Sequence, residues 1–206
     1  MKVAVYFATG YEEVEALAVV DVLRRGGIDV TMVGVTGKSV ASARNISINM
    51  DQTIEEVDHS QIDMMVLPGG IPGVDNLKAN DTVVKNLKAF KQEGKWLAAI
   101  CAGPSILGEL GLLEGEKATC YPGFEDKLVG AEVVGDRAVV SGKVITGKGA
   151  GAALEFGLTI LSVIKGEEAA KKIAKAMIIA EWYYKRCYII ACKKQVTWHL
   201  CNTSKI

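Results

Sequence analysis

Short apolar runs alternate with segments of helical period along most of this 206-residue chain, and that alternation restricts the fold more than any other feature. The run from Val3 to Phe7 reads as a central strand, and the next begins at Ile28 and ends at Val35. Between them, Val14, Leu17, Ala18, Val22 and Leu23 recur at helical spacing over 12–25, and Gly26-Gly27 ends that helix. Val40 and the run from Ile46 to Met50 predict short extra strands, and Met64 to Leu67 predicts a buried one that stops at Pro68-Gly69-Gly70. Asp81 is placed to N-cap a helix reaching about Glu93. A strand over 97–100 and a helix over 102–110 follow. Strands are expected over 117–119, 131–134, 138–140 and 144–146, with Gly135-Asp136 as a hairpin turn. Helices over 152–164 and 167–179, broken at Lys165-Gly166, complete the pattern. Continuously apolar strands separated by helices are buried on both sides. The expected fold class is therefore α/β, a mostly parallel sheet with helices on both faces.

A chain of this length supports one sizeable core, and two full domains would be crowded. With 24 basic and 24 acidic residues the formal net charge is zero, so there is no electrostatic footprint for nucleic acid or an anionic membrane surface. The apolar run at the N-terminus is too short for a signal peptide, and no stretch is long and apolar enough to span a bilayer. The expected compartment is the cytoplasm. Five cysteines (101, 120, 187, 192 and 201) without CxxC spacing do not suggest a disulfide framework there. The two histidines, His59 and His199, lie in no ligand-spaced cluster, so no metal site is expected. From about Arg186 onward the helical charge patterning is lost, and this stretch holds three of the five cysteines. It is set apart as a C-terminal extension on which no function is built.

Cys101 stands between the Leu97–Ile100 strand and Ala102-Gly103-Pro104, where the proline fits the first turn of a helix. Free N–H groups at a helix N-terminus favour a thiolate, and the thiolate is the nucleophile. The competing reading is a buried structural cysteine, and local sequence leaves both open. Parallel sheets bind ligands at the carboxyl ends of their strands. Three such ends carry Thr9-Gly10-Tyr11-Glu12-Glu13-Val14-Glu15, Pro68-Gly69-Gly70 and Cys101-Ala102. If those strands are neighbours, a carboxylate, glycine N–H groups and a thiol converge, the parts needed to attack a carbonyl and hold its oxyanion.

Glu12-Glu13-Val14-Glu15, Leu67-Pro68-Gly69-Gly70, Ala98-Ala99-Ile100-Cys101-Ala102-Gly103-Pro104 and the glycine-rich stretch from Gly149 to Phe156 occur in this order. Together they resemble the ThiJ/PfpI superfamily. The resemblance is to its DJ-1 branch, which contains the Parkinsonism-associated protein deglycase and its bacterial relatives. It covers residues 1–182, which implies one ThiJ/PfpI (class I glutamine amidotransferase-like) domain followed by the extension at 183–206. It implies a flavodoxin-like sandwich and a homodimer. It also implies a nucleophilic cysteine on a strained elbow at Cys101, a protonated glutamic acid at Glu15 beside it, and oxyanion donors at the Gly70 and Ala102 N–H groups. The family activities need no cofactor: conversion of methylglyoxal or glyoxal to the 2-hydroxy acid, a protein deglycase activity, and oxidation sensing at the cysteine. The implied partners are a small reactive carbonyl or a glycated group, with no nucleic acid and no membrane.

Many family members carry a histidine where this chain has Tyr121, in Thr119-Cys120-Tyr121-Pro122. No histidine is then placed to activate the thiol, which argues against a Cys-His protease. Tyr121 is a candidate substrate contact, with a partly buried aromatic as the plain alternative. His59 is expected to be a solvated surface residue. Cys120 is read as packing, with a resolving thiol as the alternative. Glu12 and Glu13 are expected to favour the helix dipole. The loop Gly147-Lys148-Gly149-Ala150-Gly151 lacks the spacing of a phosphate loop and is read as a turn beside the site. A cofactor-independent glyoxalase is the leading function, and a redox-responsive cysteine sensor or chaperone is the alternative. Nothing in these residues supports a thiazole phosphate pocket.

Overall fold

The computed structural model describes residues 1–179 of the chain. The extension expected at 183–206 lies outside the described residues. Strands β1 (Lys2–Phe7), β2 (Asp29–Gly34), β3 (Ser39–Ala41), β4 (Ser47–Asn49), β5 (Gln52–Thr53), β6 (Met64–Leu67) and β7 (Trp96–Ile100) occupy the first half. They are followed by β8 (Lys117–Ala118), β9 (Glu132–Val133), β10 (Ala138–Ser141) and β11 (Val144–Gly147). The α-helices are α1 (Glu13–Arg25), α2 (Gly73–Lys78), α3 (Asp81–Gln92), α4 (Pro104–Glu109), α5 (Ala153–Lys165) and α6 (Glu167–Ala176).

Seven strands form one sheet in the order β10-β11-β7-β6-β1-β2-β5. All neighbours pair in parallel except β10 and β11. The register sets Val3 opposite Val30 on one side and Met64 on the other. It continues outward with Met65 opposite Leu97 and Ile145 opposite Ala98. Successive strand residues point to opposite faces. Val3, Val5 and Phe7 accordingly enter the layer with α1, α5 and α6, while Ala4 and Tyr6 enter the layer with α2, α3 and α4. Both faces of the strands are covered, which is why they read as unbroken apolar runs rather than alternating ones. The sandwich is the flavodoxin-like α/β fold that the motifs implied.

The elements depart from the sequence reading in several places. Gly135-Asp136 is not a hairpin turn. β9 pairs in parallel with β8 in a small separate sheet, and the hairpin joins β10 to β11 through Gly142 at φ +51°. The helix over 81–92 is capped by Asn80, whose side chain accepts from the Val83 N–H, and Asp81 is its first residue. A short helix at Gly73–Lys78 occupies a stretch after Pro68-Gly69-Gly70 to which the sequence reading assigned no element. Among the described residues, no helix is long and apolar enough to cross a membrane.

Candidate active site

β6, β7 and β1 are adjacent and parallel, so the loops leaving them meet at one edge of the sheet. That adjacency brings Glu15, Gly69, Gly70 and Cys101 together, the convergence that the sequence reading made conditional on these strands being neighbours. Cys101 directly follows β7 with φ +64°, the left-handed region that an L-residue with a Cβ adopts at a cost of about 1–3 kcal/mol. Surrounding bonds hold it there. Its N–H donates to the Gly147 carbonyl at 2.9 Å, and its carbonyl accepts from the Tyr121 N–H at 2.9 Å. The turn continues with Gly103 N–H donating to Ile100 O, and the Ser105 hydroxyl donating to Ala102 O at 2.6 Å. α4 therefore starts at Pro104 rather than at Ala102.

Glu15 projects from the first turn of α1 and is fully buried. Its Oε2 accepts from the Gly69 N–H at 2.8 Å, and its carboxyl is in hydrogen-bonding contact with the Cys101 thiol. Its Oε1 is buried with no partner. A buried carboxylate with an unpaired oxygen is costly, so burial favours the neutral acid and pushes Glu15 up to about 7. Gly69 is the residue the sequence reading passed over. A Cβ there would stand 2.6 Å from Cys101 Cβ and 2.7 Å from Glu15 Oε2, so only glycine lets thiol and acid meet. The doubled Gly69-Gly70 after β6 was its one signal in the sequence. Gly70 itself adopts φ +92°, and its N–H, with that of Ala102, hydrogen-bonds the Cys101 sulfur.

Helix N–H groups were expected to lower the thiol. The Ala102 and Gly70 donors do act in that direction, but burial and then the adjacent Glu15 oppose them, and the thiol is pushed up to about 12. The two groups are thus tightly coupled, and in the neutral range they hold one negative charge between them.

Tyr121 sits beside this pair but is half-exposed, and its ring lies against Gly149. Cys120 is buried in the layer with α2, α3 and α4, whereas the part-buried Cys101 packs against the layer with α1 and α5. The two thiols face different layers, which favours the packing reading of Cys120. His59 is not the solvated residue expected. It lies in a 3-10 turn preceding β6, at the sheet edge opposite Cys101, stacked 6.1 Å from Tyr6 with its Nε2 buried. Burial lowers its pKa. Glu13 does occupy the first turn of α1, while Glu12 stands at the N-cap without a capping bond and 3.9 Å from Arg44. Among the described residues, no group of three or more His, Cys, Asp or Glu side chains is arranged to hold a metal ion.

The comparisons with known proteins agree with this geometry. Over its full length the chain is 36% identical to Protein DJ-1 homolog B of Arabidopsis thaliana, and spans 47% of that protein. The chain thus covers about half the length of that relative. It is 34% identical over 172 residues to the glutathione-independent glyoxalase DJR-1.2 of Caenorhabditis elegans, covering 82% of this chain and 91% of that one. The structure of oxidized Toxoplasma gondii DJ-1 superposes with a TM-score of 0.83 at 37% identity, over 86% of this chain and 97% of the other. The sequence model of the DJ-1/PfpI family matches residues 1–163, a span that holds the acid, the paired glycines and the cysteine on its left-handed turn, and the chain belongs to that family.

Proposed function

We propose that this chain converts 2-oxoaldehydes such as methylglyoxal to 2-hydroxy acids without glutathione or another cofactor. The observation that carries the reading is the buried Glu15 acid against a cysteine whose sulfur receives two backbone N–H groups. Donors at the sulfur outnumber those at Glu15, where Gly69 is the backbone donor and Oε1 has no partner. The mechanism requires the negative charge of the pair on sulfur, with the proton on Glu15. The thiolate adds to the aldehyde carbon, and the N–H groups of Gly70 and Ala102 stabilise the oxyanion. Protonation of that oxygen gives a hemithioacetal. Glu15 then moves a proton from the former aldehyde carbon to the ketone side, leaving a thioester of the 2-hydroxy acid. Water cleaves the thioester, so the sum is substrate plus one water, and the thiol is restored. Deglycation of hemithioacetals and aminocarbinols extends the same attack to glycated groups. The similarity to a named glutathione-independent glyoxalase supports this reading. A cytoplasmic location and a homodimer belong to the same proposal.

The test is lactate formation from methylglyoxal without glutathione. Cys101→Ser and Glu15→Gln should each lower turnover by about 10²-fold or more. Turnover that survives Cys101→Ser overturns the scheme.

A second reading has its own observation. The donors around the Cys101 sulfur, together with the Glu15 acid, also suit a sulfinate formed when peroxide oxidises the thiolate, which would make the protein a redox sensor or chaperone. No lactate from the wild type, combined with gain of two oxygens at Cys101 under mild peroxide, would select it.

A further inference from the structure

The carboxyl edge of the sheet continues past the cysteine. β11 lies next to β7, and Lys148 follows it directly. β10 is the next strand and runs antiparallel, so Arg137, the residue before it, comes to the same edge. The Lys148 N–H donates to the Arg137 carbonyl at 2.9 Å, which ties the two positions together. With Tyr121, Pro122 and the 149–152 loop they line a cleft of about 250 Å³. The cleft shares its walls with the cysteine's own supports. Tyr121 holds the Cys101 carbonyl, and Gly147, adjoining Lys148, holds the Cys101 N–H.

The lining carries two cations and no carboxylate, and Lys148 also borders a neighbouring cleft with Cys120, Glu125 and Gly135. Arg137 is partly engaged, its Nε with Glu155 at 2.7 Å and its Nη2 with the Gly151 carbonyl. The half-buried Lys148 donates from Nζ to the neutral Gly135 carbonyl at 3.2 Å. An ammonium has three donors, so this bond leaves capacity for a ligand. Neighbouring strands are about 4.8 Å apart, which sets the backbone of Lys148 roughly one spacing and that of Arg137 roughly two from the line of Cys101. That matches a substrate whose anionic group lies three or four bonds beyond its reacting carbonyl.

We propose that this cleft is an anion subsite, and that the site favours 2-oxoaldehydes carrying a carboxylate at their far end. The inference rests on the glyoxalase reading and narrows its substrate class. Lys148 supplies the charge, Arg137 a second donor group, and the Tyr121 ring an apolar wall for the linking methylenes. Neutral methylglyoxal would leave the cleft unused.

The probes are 4,5-dioxopentanoate, which gains one water to become 2-hydroxypentanedioate, and its uncharged methyl ester. In the wild type, kcat/KM for the acid should exceed that for the ester by about tenfold or more, the scale of one charge-assisted hydrogen bond. Lys148→Gln and Arg137→Gln should each pull that ratio toward one. A wild-type ratio near one, or a ratio unmoved by both substitutions, overturns the subsite. If no substrate turns over, the glyoxalase reading has failed, and the subsite is judged by binding alone. There, 4-oxopentanoate should slow alkylation of Cys101 by iodoacetamide more than its methyl ester does, and Lys148→Gln should abolish the difference. Equal protection by acid and ester overturns the subsite independently of turnover.

Discussion

At the scale of single residues, the chemistry depends on where one proton sits. Burial lifts Glu15 to about 7, and burial plus the adjacent Glu15 lifts Cys101 to about 12, so one group ionises first and the other then resists. If the proton stays on Glu15, the sulfur carries the charge and reacts as a nucleophile at neutral pH. Alkylation of Cys101 by iodoacetamide should then rise as pH passes about 7, because the pair loses its first proton there. Glu15→Gln keeps the shape but offers the sulfur only a weaker amide donor, so the rise should move to higher pH. Alkylation monitored by mass across a pH series measures both profiles. A wild-type profile that stays flat through 7 and rises only in alkali would put the charge on Glu15 and remove the thiolate from the mechanism. Much of this site was legible before the fold was seen, since Cys101, Glu15, Gly70 and Ala102 follow from the motifs and meet at the sulfur. Gly69 was not, because its role is an empty volume beside Cys101 and Glu15, and sequence records no volumes. The net effect on the thiol was hidden for a similar reason. A short helix start suggests donors, but the depth of burial that opposes them belongs to the packed layers.

At the scale of elements, the long periodic segments were readable and the short ones were not. α1, α3 and α5 each bury an apolar stripe, and β1, β2, β6, β7 and β11 were visible as apolar runs, whereas the polar edge strand β5 was not. β9 is exposed, and its pairing with β8 is set by the fold rather than by its sequence. A strand–Gly–Asp–strand pattern looks like a hairpin, yet the chain passes from β9 to a different sheet at that point. The cap of α3 is a comparable one-residue matter. Asn80 accepts from the Val83 N–H at 3.1 Å, whereas Asp81, as the first helical residue, adds only a favourable charge. Asn80→Ala should therefore cost about 1 kcal/mol of unfolding free energy, the usual loss for an N-cap. Asp81→Ala should cost about 0.3 kcal/mol in physiological salt, where the dipole effect is screened. Urea unfolding of the two variants ranks them, and a larger loss at Asp81 would contradict the observed cap.

At the scale of the whole molecule, the question is what covers the start of α1. The β3–β4 hairpin is tied to it through the Ala43 N–H to Tyr11 carbonyl bond at 2.8 Å and the Arg44–Glu12 contact at 3.9 Å. Val14 on α1 and Ile46 at the hairpin turn are 53% and 48% exposed. Single exposed apolar residues are ordinary, but two near the start of the helix that carries the buried Glu15 suit a protein contact. The homodimer implied by the family resemblance would place a second copy here. Equilibrium sedimentation at micromolar concentration should then give twice the chain mass. The double variant Val14→Glu, Ile46→Glu would bury unpaired carboxylates in that contact, at a cost of several kcal/mol, and should sediment as a single chain with its fold intact by circular dichroism. A wild type that sediments as one chain would reject the dimer outright. A double variant that remains paired would move the interface to another face.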